Sequence, residues 1–312
     1  MATLGAMFGA GAARGFLGLP EAGDLAAVQA DVVIVGADGC TPYPSVGHYC
    51  AGGAAAIRAG GAQWAASQQA MNFDLGQAVI PAGARIVDAG DLPVSEDAAA
   101  NRALLREAMG KVLAAGAVPV LLGGDDSLPI PQLQALEAKG PLTILQIDAH
   151  IDWRDDVGGE RWGLSSTMRR ASEMAHVERI IQVGQRGIGS ARPGDWRAAE
   201  EWGGQFVPAR AGAAGGIGRA LSLIPEGANI AVCLDVDALD PAIMPAVIGR
   251  AAGGLSYWQV FELIAGAAAR GRIVSFDMVE FMAGRDIDGQ GALVAAQLLA
   301  GVLGILAGQV GK

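Results

Sequence analysis

Cysteine, histidine, aromatics and basic runs are all scarce in this chain. It has three cysteines, Cys40, Cys50 and Cys233, and none forms a C-x-x-C pair. That excludes a disulfide framework and predicts reduced thiols in a cytoplasmic protein. Lys and Arg number 22 against 32 Asp and Glu, a net charge of −10, and no basic cluster occurs. A protein that tracks phosphates needs a basic face, so nucleic acid is excluded as a partner, whereas a cationic ligand suits the acidity. Aromatics are 5% of residues, which argues against an aromatic-rich β-sandwich and for small-residue packing of helices on a sheet. The N-terminus lacks a basic stretch leading into a clean apolar core and cleavage site. The apolar stretch 291–310 is broken by Gln297, Gln309 and several glycines. It reads as a buried core helix, and no membrane association is expected.

What is present is an alternation of short apolar runs with longer helical patterns. Residues 31–36, 118–122, 142–147, 179–183, 229–234 and 273–279 are apolar without alternation, and 98–116 has helical spacing. Strands of that kind, separated by helix-length segments, predict a parallel sheet covered on both faces. No low-complexity linker or repeat divides the chain. A single domain over 1–312 is expected, with 1–30 as an N-terminal extension or arm.

The acids cluster after these runs. Asp125 and Asp126 follow 118–122, Asp148, His150 and Asp152 follow 142–147, and Asp235 and Asp237 follow 229–234. Ligands of open parallel sheets bind at the carboxyl ends of the strands. Asp148-Ala-His150-Ile-Asp152 sets three donors two residues apart, so an extended backbone turns all three to one side. Asp235-Val-Asp237 repeats the device. Four carboxylates and one imidazole make a hard, oxygen-rich site suited to Mn²⁺, with Mg²⁺ or Ni²⁺ as alternatives. Taken singly, each acid is also what a strand-end turn or helix N-cap uses. Asp240, before Pro241, is expected to fix its turn.

Gly123-Gly-Asp-Asp-Ser127, Asp148-Ala-His-Ile-Asp152 and Cys233-Leu-Asp-Val-Asp-Ala-Leu-Asp-Pro241 resemble the three signature segments of the ureohydrolases, the arginases, agmatinases and related guanidino-acid hydrolases. Val274-Ser-Phe-Asp-Met-Val-Glu280 resembles that family's late strand, which ends on an acid that contacts the guanidinium. The resemblance implies a three-layer α/β/α fold with a mostly parallel central sheet. It also implies two divalent ions, Mn²⁺ first and Ni²⁺ second, and hydrolysis of a small cationic guanidino substrate to urea and an amine. Agmatine, a guanidino acid and an alkylated guanidine all qualify. By resemblance Asp148, His150, Asp152, Asp235 and Asp237 are metal ligands, with Asp235 and either Asp148 or Asp152 bridging, and Glu280 pairs with the substrate. The same resemblance implies a homo-oligomer, trimeric or hexameric.

Two departures from the family pattern matter. Asp126 stands where relatives carry a metal-binding His. A carboxylate there can ligate the metal, or it turns away and one ion alone is held. Leu164, in Trp162-Gly-Leu-Ser-Ser-Thr-Met-Arg-Arg170, stands where a proton-shuttling His is usual. Of the remaining histidines, His48 is expected near the pocket mouth as a substrate contact and His176 on a surface helix. Trp153 and Trp162 are candidate pocket walls, with Trp153 against the cationic substrate. Arg186 is read as near the site or as a structural ion pair. Two other readings compete with the hydrolase. One is a non-catalytic or metal-poor subunit supporting a paralogue in a hetero-oligomeric guanidine or biguanide (metformin-type) hydrolase. The other is a binding protein for cationic metabolites.

Overall fold

The apolar runs become strands buried along almost their whole length. The computed structural model describes residues 15–189 and 191–309. In chain order the strands are β1 (Val32–Gly36), β2 (Met71–Asn72), β3 (Gln77–Ala78), β4 (Ile86–Asp91), β5 (Val118–Leu122), β6 (Leu142–Ile147), β7 (Val177–Val183), β8 (Gln205–Val207), β9 (Asn229–Asp235) and β10 (Arg272–Val279). β2 and β3 form a small antiparallel hairpin. The other eight make one sheet in the order β4-β1-β5-β10-β9-β6-β7-β8, and every pairing in it is parallel.

Period-two geometry sorts each strand's side chains between two cores. Val32 and Ile34 of β1, with Val120 and Leu122 of β5, join one cluster, while Val33, Val35 and Leu121 join another. The first face is covered by the helices Gly53–Gly61, Tyr257–Arg270 and Gln290–Ala307, the opposite one by Ala98–Ala114 and Pro129–Ala135. The result is the expected three layers. The strongly apolar helix Gln290–Ala307 is core, with Leu298, Leu299 and Leu303 fully buried. It lies against Gly53–Gly61 so closely that a Cβ on Gly60 would sit 2.3 Å from the Ala292 carbonyl oxygen. Small residues there replace the aromatic packing the chain lacks.

The β2–β3 hairpin escaped the sequence reading, and so did two strands of the main sheet, β4 and β8. Both are sheet edges. An edge strand is not sandwiched like a central one, so Ile-Val-Asp-Ala-Gly-Asp and Gln-Phe-Val carry no apolar run. His176 is another correction: it lies in the turn before β7, half-buried, with Nε2 3.0 Å from the Leu133 carbonyl oxygen, and not on a helix. Residues 1–14 of the expected N-terminal extension lie outside the described residues. Phe16 and Leu17 are buried in the first core cluster.

Candidate metal centre

The sheet order decides where the acids meet. β5, β10, β9 and β6 are consecutive neighbours in the middle of the sheet, and each delivers a candidate residue from its carboxyl end. β5 ends in Gly123-Gly124, both with positive φ. A Cβ on Gly124 would lie 2.4 Å from Leu128 Cδ1 and 2.8 Å from Gly39 N, so only glycine makes this turn. The turn presents Asp125 and Asp126. Asp125 folds back on itself: its Oδ1 accepts from the Ser127 amide at 3.0 Å and from the Ser127 hydroxyl. Asp126 points the other way. It is 3% exposed, and its Oδ2 is buried without a hydrogen-bond partner among the described residues.

Asp148, at the end of β6, is fully buried. Its Oδ1 accepts from the His150 amide at 2.6 Å, and Gln146 Nε2 donates to its Oδ2 at 2.7 Å and to Asp152 Oδ2 at 2.8 Å. Gln146 thus holds two acids with one neutral donor group. Gln182 donates in turn to Gln146 Oε1, and Trp153 Nε1 donates to Gln182 Oε1 at 2.8 Å. From β9, Asp235 Oδ1 accepts from the Asp237 amide at 2.7 Å, and Asp237 Oδ1 accepts from the Ala149 amide at 3.1 Å, stitching β9 to β6. Arg186 makes no ion pair among the described residues. Its guanidinium donates to the carbonyls of Gly184, Asp237, Ala238, Leu239 and Ala251, and so fixes the loop that carries Asp237. Asp240 accepts from the amides of Ala242, Gly253 and Gly254, the turn-fixing role expected of it. Glu280 directly follows β10, and its amide donates to the Gly124 carbonyl at 2.8 Å. Glu280 and Asp152 both adopt left-handed backbone, φ +67° and +49°. For a residue with a Cβ that conformation costs about 1–3 kcal/mol, and such strain concentrates at functional positions.

These contacts produce two overlapping donor groups. One atom from each of Asp148, His150, Asp235 and Asp237 lies within 4.8 Å of the others, and the same holds for Asp126, Asp148 and Asp152. Asp148 belongs to both. His150 Nδ1 lies 3.1 Å from Asp237 Oδ2 and 3.4 Å from Asp148 Oδ1. The groups open into a cavity of about 200 Å³ whose lining includes Tyr49, Arg154, Leu164, Ser165, Asp195, Ile248 and Glu280. That is smaller than the roughly 300–1,000 Å³ of sites for drug-sized ligands.

Crowding this many acids out of water distorts their titration. Burial, then the neighbouring carboxylates, hold Asp126 well above the usual carboxylate range, with Asp152 and Asp148 the nearest offenders. Asp235 is raised in the same way, by burial and then by Asp237. Burial opposes a charge on His150, yet its contacts with Asp148 and Asp237 win and push it up to about 12. Glu280 rises to about 8 and Asp277, behind the site on β10, to about 7, both chiefly through burial. A carboxyl whose folded pKa exceeds its unfolded one binds more protons folded than unfolded, so stability falls as pH climbs between the two values. For Glu280 that window runs from 4.5 to about 8, and for Asp277 from 3.8 to about 7. The chelated protein is therefore expected to unfold at lower urea near about pH 8 than near about pH 5. Equal midpoints in the two titrations would count against the buried acids.

The other expected residues separate cleanly. Leu164 lines the cavity. Trp153 borders it but is 2% exposed, its ring packed 5.9 Å from that of Trp202, so its side chain is committed to the core. Trp162 lies under the Arg102 guanidinium. His48 is not among the lining residues, contrary to the substrate contact expected of it. Its Nδ1 is turned toward Gly39, where an added Cβ would meet it at 2.6 Å and Asp125 Oδ2 at 2.9 Å. Its neighbour reaches the site instead: the Tyr49 hydroxyl lies 2.6 Å from each oxygen of Glu280. Neither Tyr49 nor Gln146 was singled out from sequence, since a lone Tyr in a loop and a Gln within a strand carry no spacing signal.

Comparison with known proteins agrees with this geometry. Residues 30–304 match the model of the arginase family. The mitochondrial agmatinase of Gallus gallus is 33% identical over 211 residues, covering 65% of this chain and 61% of that protein. The mitochondrial guanidino acid hydrolase of Homo sapiens is 32% identical over 208 residues, 62% of this chain and 56% of that one. The match thus spans less than two thirds of the length of either relative. A crystal structure of a hypothetical agmatinase from Burkholderia thailandensis superposes with a TM-score of 0.81 at 22% identity, covering 96% of this chain and 92% of the other, and so shares its fold. On the sheet order, the acids at its four central strand ends and the family match across them, this chain belongs to the arginase family.

Proposed function

We propose that this chain hydrolyses a small guanidino compound to urea and an amine at a metal centre held by Asp126, Asp148, His150, Asp152, Asp235 and Asp237. The observation that carries the reading is Asp126. Its unpartnered, buried Oδ2 belongs to a carboxylate that completes a donor group with Asp148 and Asp152, beside the group that contains His150. A buried anion without a partner is costly, and a cation relieves that cost. The donor set fits two hard divalent ions, Mn²⁺ first and Ni²⁺ second. Such a pair supplies Lewis acidity and water activation.

The protein's own groups do the rest. Glu280 pairs with the substrate's guanidinium and orients its plane over the acids. Asp148, common to both donor groups, keeps their spacing, and Gln146 keeps Asp148 and Asp152 aimed. The small cavity limits bulk water around the reacting carbon. The names of the agmatinase and guanidino acid hydrolase relatives support the substrate class. All three cysteines are buried and unpaired, in keeping with a reducing compartment. We read the working form as an oligomer, as is usual in this family.

The test is metal content per chain together with urea release, on protein purified with Mn²⁺ or Ni²⁺ and offered agmatine, a guanidino acid and an alkylated guanidine. Two metals and urea from at least one substrate are expected. One observation favours a second reading, as the supporting subunit of a hetero-oligomer. Leu164 lines the cavity, and among the described residues His150 is its only imidazole. Urea that appears only after a paralogous chain is added would establish that reading in place of the first.

A further inference from the structure

Glu280 has little accepting capacity left. The Tyr49 hydroxyl is 2.6 Å from both of its oxygens, the Asp126 amide donates to Oε1 at 2.8 Å, and Cys50 Sγ lies 4.0 Å from Oε2. A carboxylate offers about four lone-pair sites. Equal distances put the phenol oxygen on the bisector of the carboxylate. A guanidinium making two parallel N–H···O bonds must centre itself on that same line. Tyr49 and Glu280 both line the cavity, so the phenol occupies the carboxylate where an entering ligand would meet it. Its loop is pinned at both ends: the Gly47 amide donates to the Tyr43 carbonyl at 3.0 Å, and the Gly52 amide to Asp38 Oδ1 at 2.7 Å. Gly47 and Gly52 both have positive φ, and nothing lies within 4 Å of where their Cβ atoms would be. The bounding glycines are free to change φ and ψ, whereas Cys50 between them is fully buried, so displacement of the phenol is a local side-chain movement on a short hinge.

We propose that Tyr49 occupies the guanidinium seat on Glu280 and is exchanged for the substrate, one phenol O–H for a pair of N–H donors. The inference deepens the hydrolase reading and rests on Glu280 as the guanidinium's partner. No covalent bond changes in the exchange. It defines the substrate class at that edge: a guanidinium with two unsubstituted N–H groups facing Glu280 displaces the phenol, and one substituted on that edge does not. Affinity is set by the difference between the two sets of donors.

The experiment is a calorimetric titration of the metal-loaded full chain with dilute guanidinium chloride, on wild type, Tyr49→Phe and Glu280→Gln. Tyr49→Phe removes the competing donor and is expected to bind guanidinium about tenfold tighter, the scale of one hydrogen bond to a charged group. Tyr49→Leu is expected to tighten binding too, and melting curves establish that both variants fold. Weaker or unchanged binding by folded Tyr49→Phe overturns the exchange and makes the phenol a support or a bystander. The hydrolase reading survives that result as long as Glu280→Gln loses binding. Wild-type affinity in Glu280→Gln places the guanidinium elsewhere and removes the basis of both.

Discussion

Asp148→Asn is expected to strip metal from both halves of the proposed centre at once. Among the described residues no other side chain contributes to both donor groups, and this one is fully buried. The change removes a charge from each half, and it also turns an amide into a site built for acceptors. Asp148 Oδ1 faces the His150 amide and Oδ2 faces Gln146 Nε2, so an asparagine NH₂ must meet a donor on one side. That mismatch alone costs about 1–3 kcal/mol. Elemental analysis is expected to fall from two ions per chain to fewer than one, with urea release down at least about 10³-fold. Asp126→Asn, in one group only, is expected to empty a single half. If Asp148→Asn keeps two ions, the shared-acid arrangement is wrong.

Glu280→Gln produces the second large loss, of a different kind. The metal donors are untouched, so metal content stays at the wild-type level. The guanidinium of the proposed substrate would lose its counter-charge, however, and breaking such a pair costs about 2–5 kcal/mol, or roughly 30- to 5,000-fold in kcat/KM. The loss falls mainly on KM if Glu280 binds ground and transition states alike, and on kcat if it orients the planar carbon for attack. Urea kinetics over a range of substrate concentrations, alongside metal analysis, separate these cases. A variant with full metal and unchanged kcat/KM would remove Glu280 from substrate recognition.

The parts legible from sequence share one property: their signal is local. The bounds of β5 and β6 coincide with the apolar runs, because a strand buried on both faces can hold little else. The Asp148-His150-Asp152 and Asp235-Asp237 sets were readable as clusters because their donors stand two residues apart. The extended backbone expected to align them is absent, however: residues 149–150 bend, Asp152 has φ +49° and Asp237 lies in the short helix Val236–Ala238. That Asp126 points inward while Asp125 caps Ser127 was not readable, since the direction is set by glycine dihedrals and by Leu128. His48 and Tyr49 show the same limit. Both lie in a loop with no periodicity, and tertiary packing sent the histidine toward Gly39 and the tyrosine to Glu280. Gln146 looks like any strand residue until β6, β7 and the Asp152 turn enclose it.

The separations in sequence carry a consequence for how the chain reaches this state. The Ala149–Asp237 hydrogen bond joins residues 88 apart, and the Asp126–Glu280 one joins residues 154 apart. Closing loops of that length is entropically slow and comes after local structure has formed. The acids therefore assemble only once the central strands have paired, and a cation finds no preformed site on the unfolded chain to nucleate around. Metal held at the proposed centre would then act as a late clasp that slows unfolding and leaves the folding rate nearly unchanged.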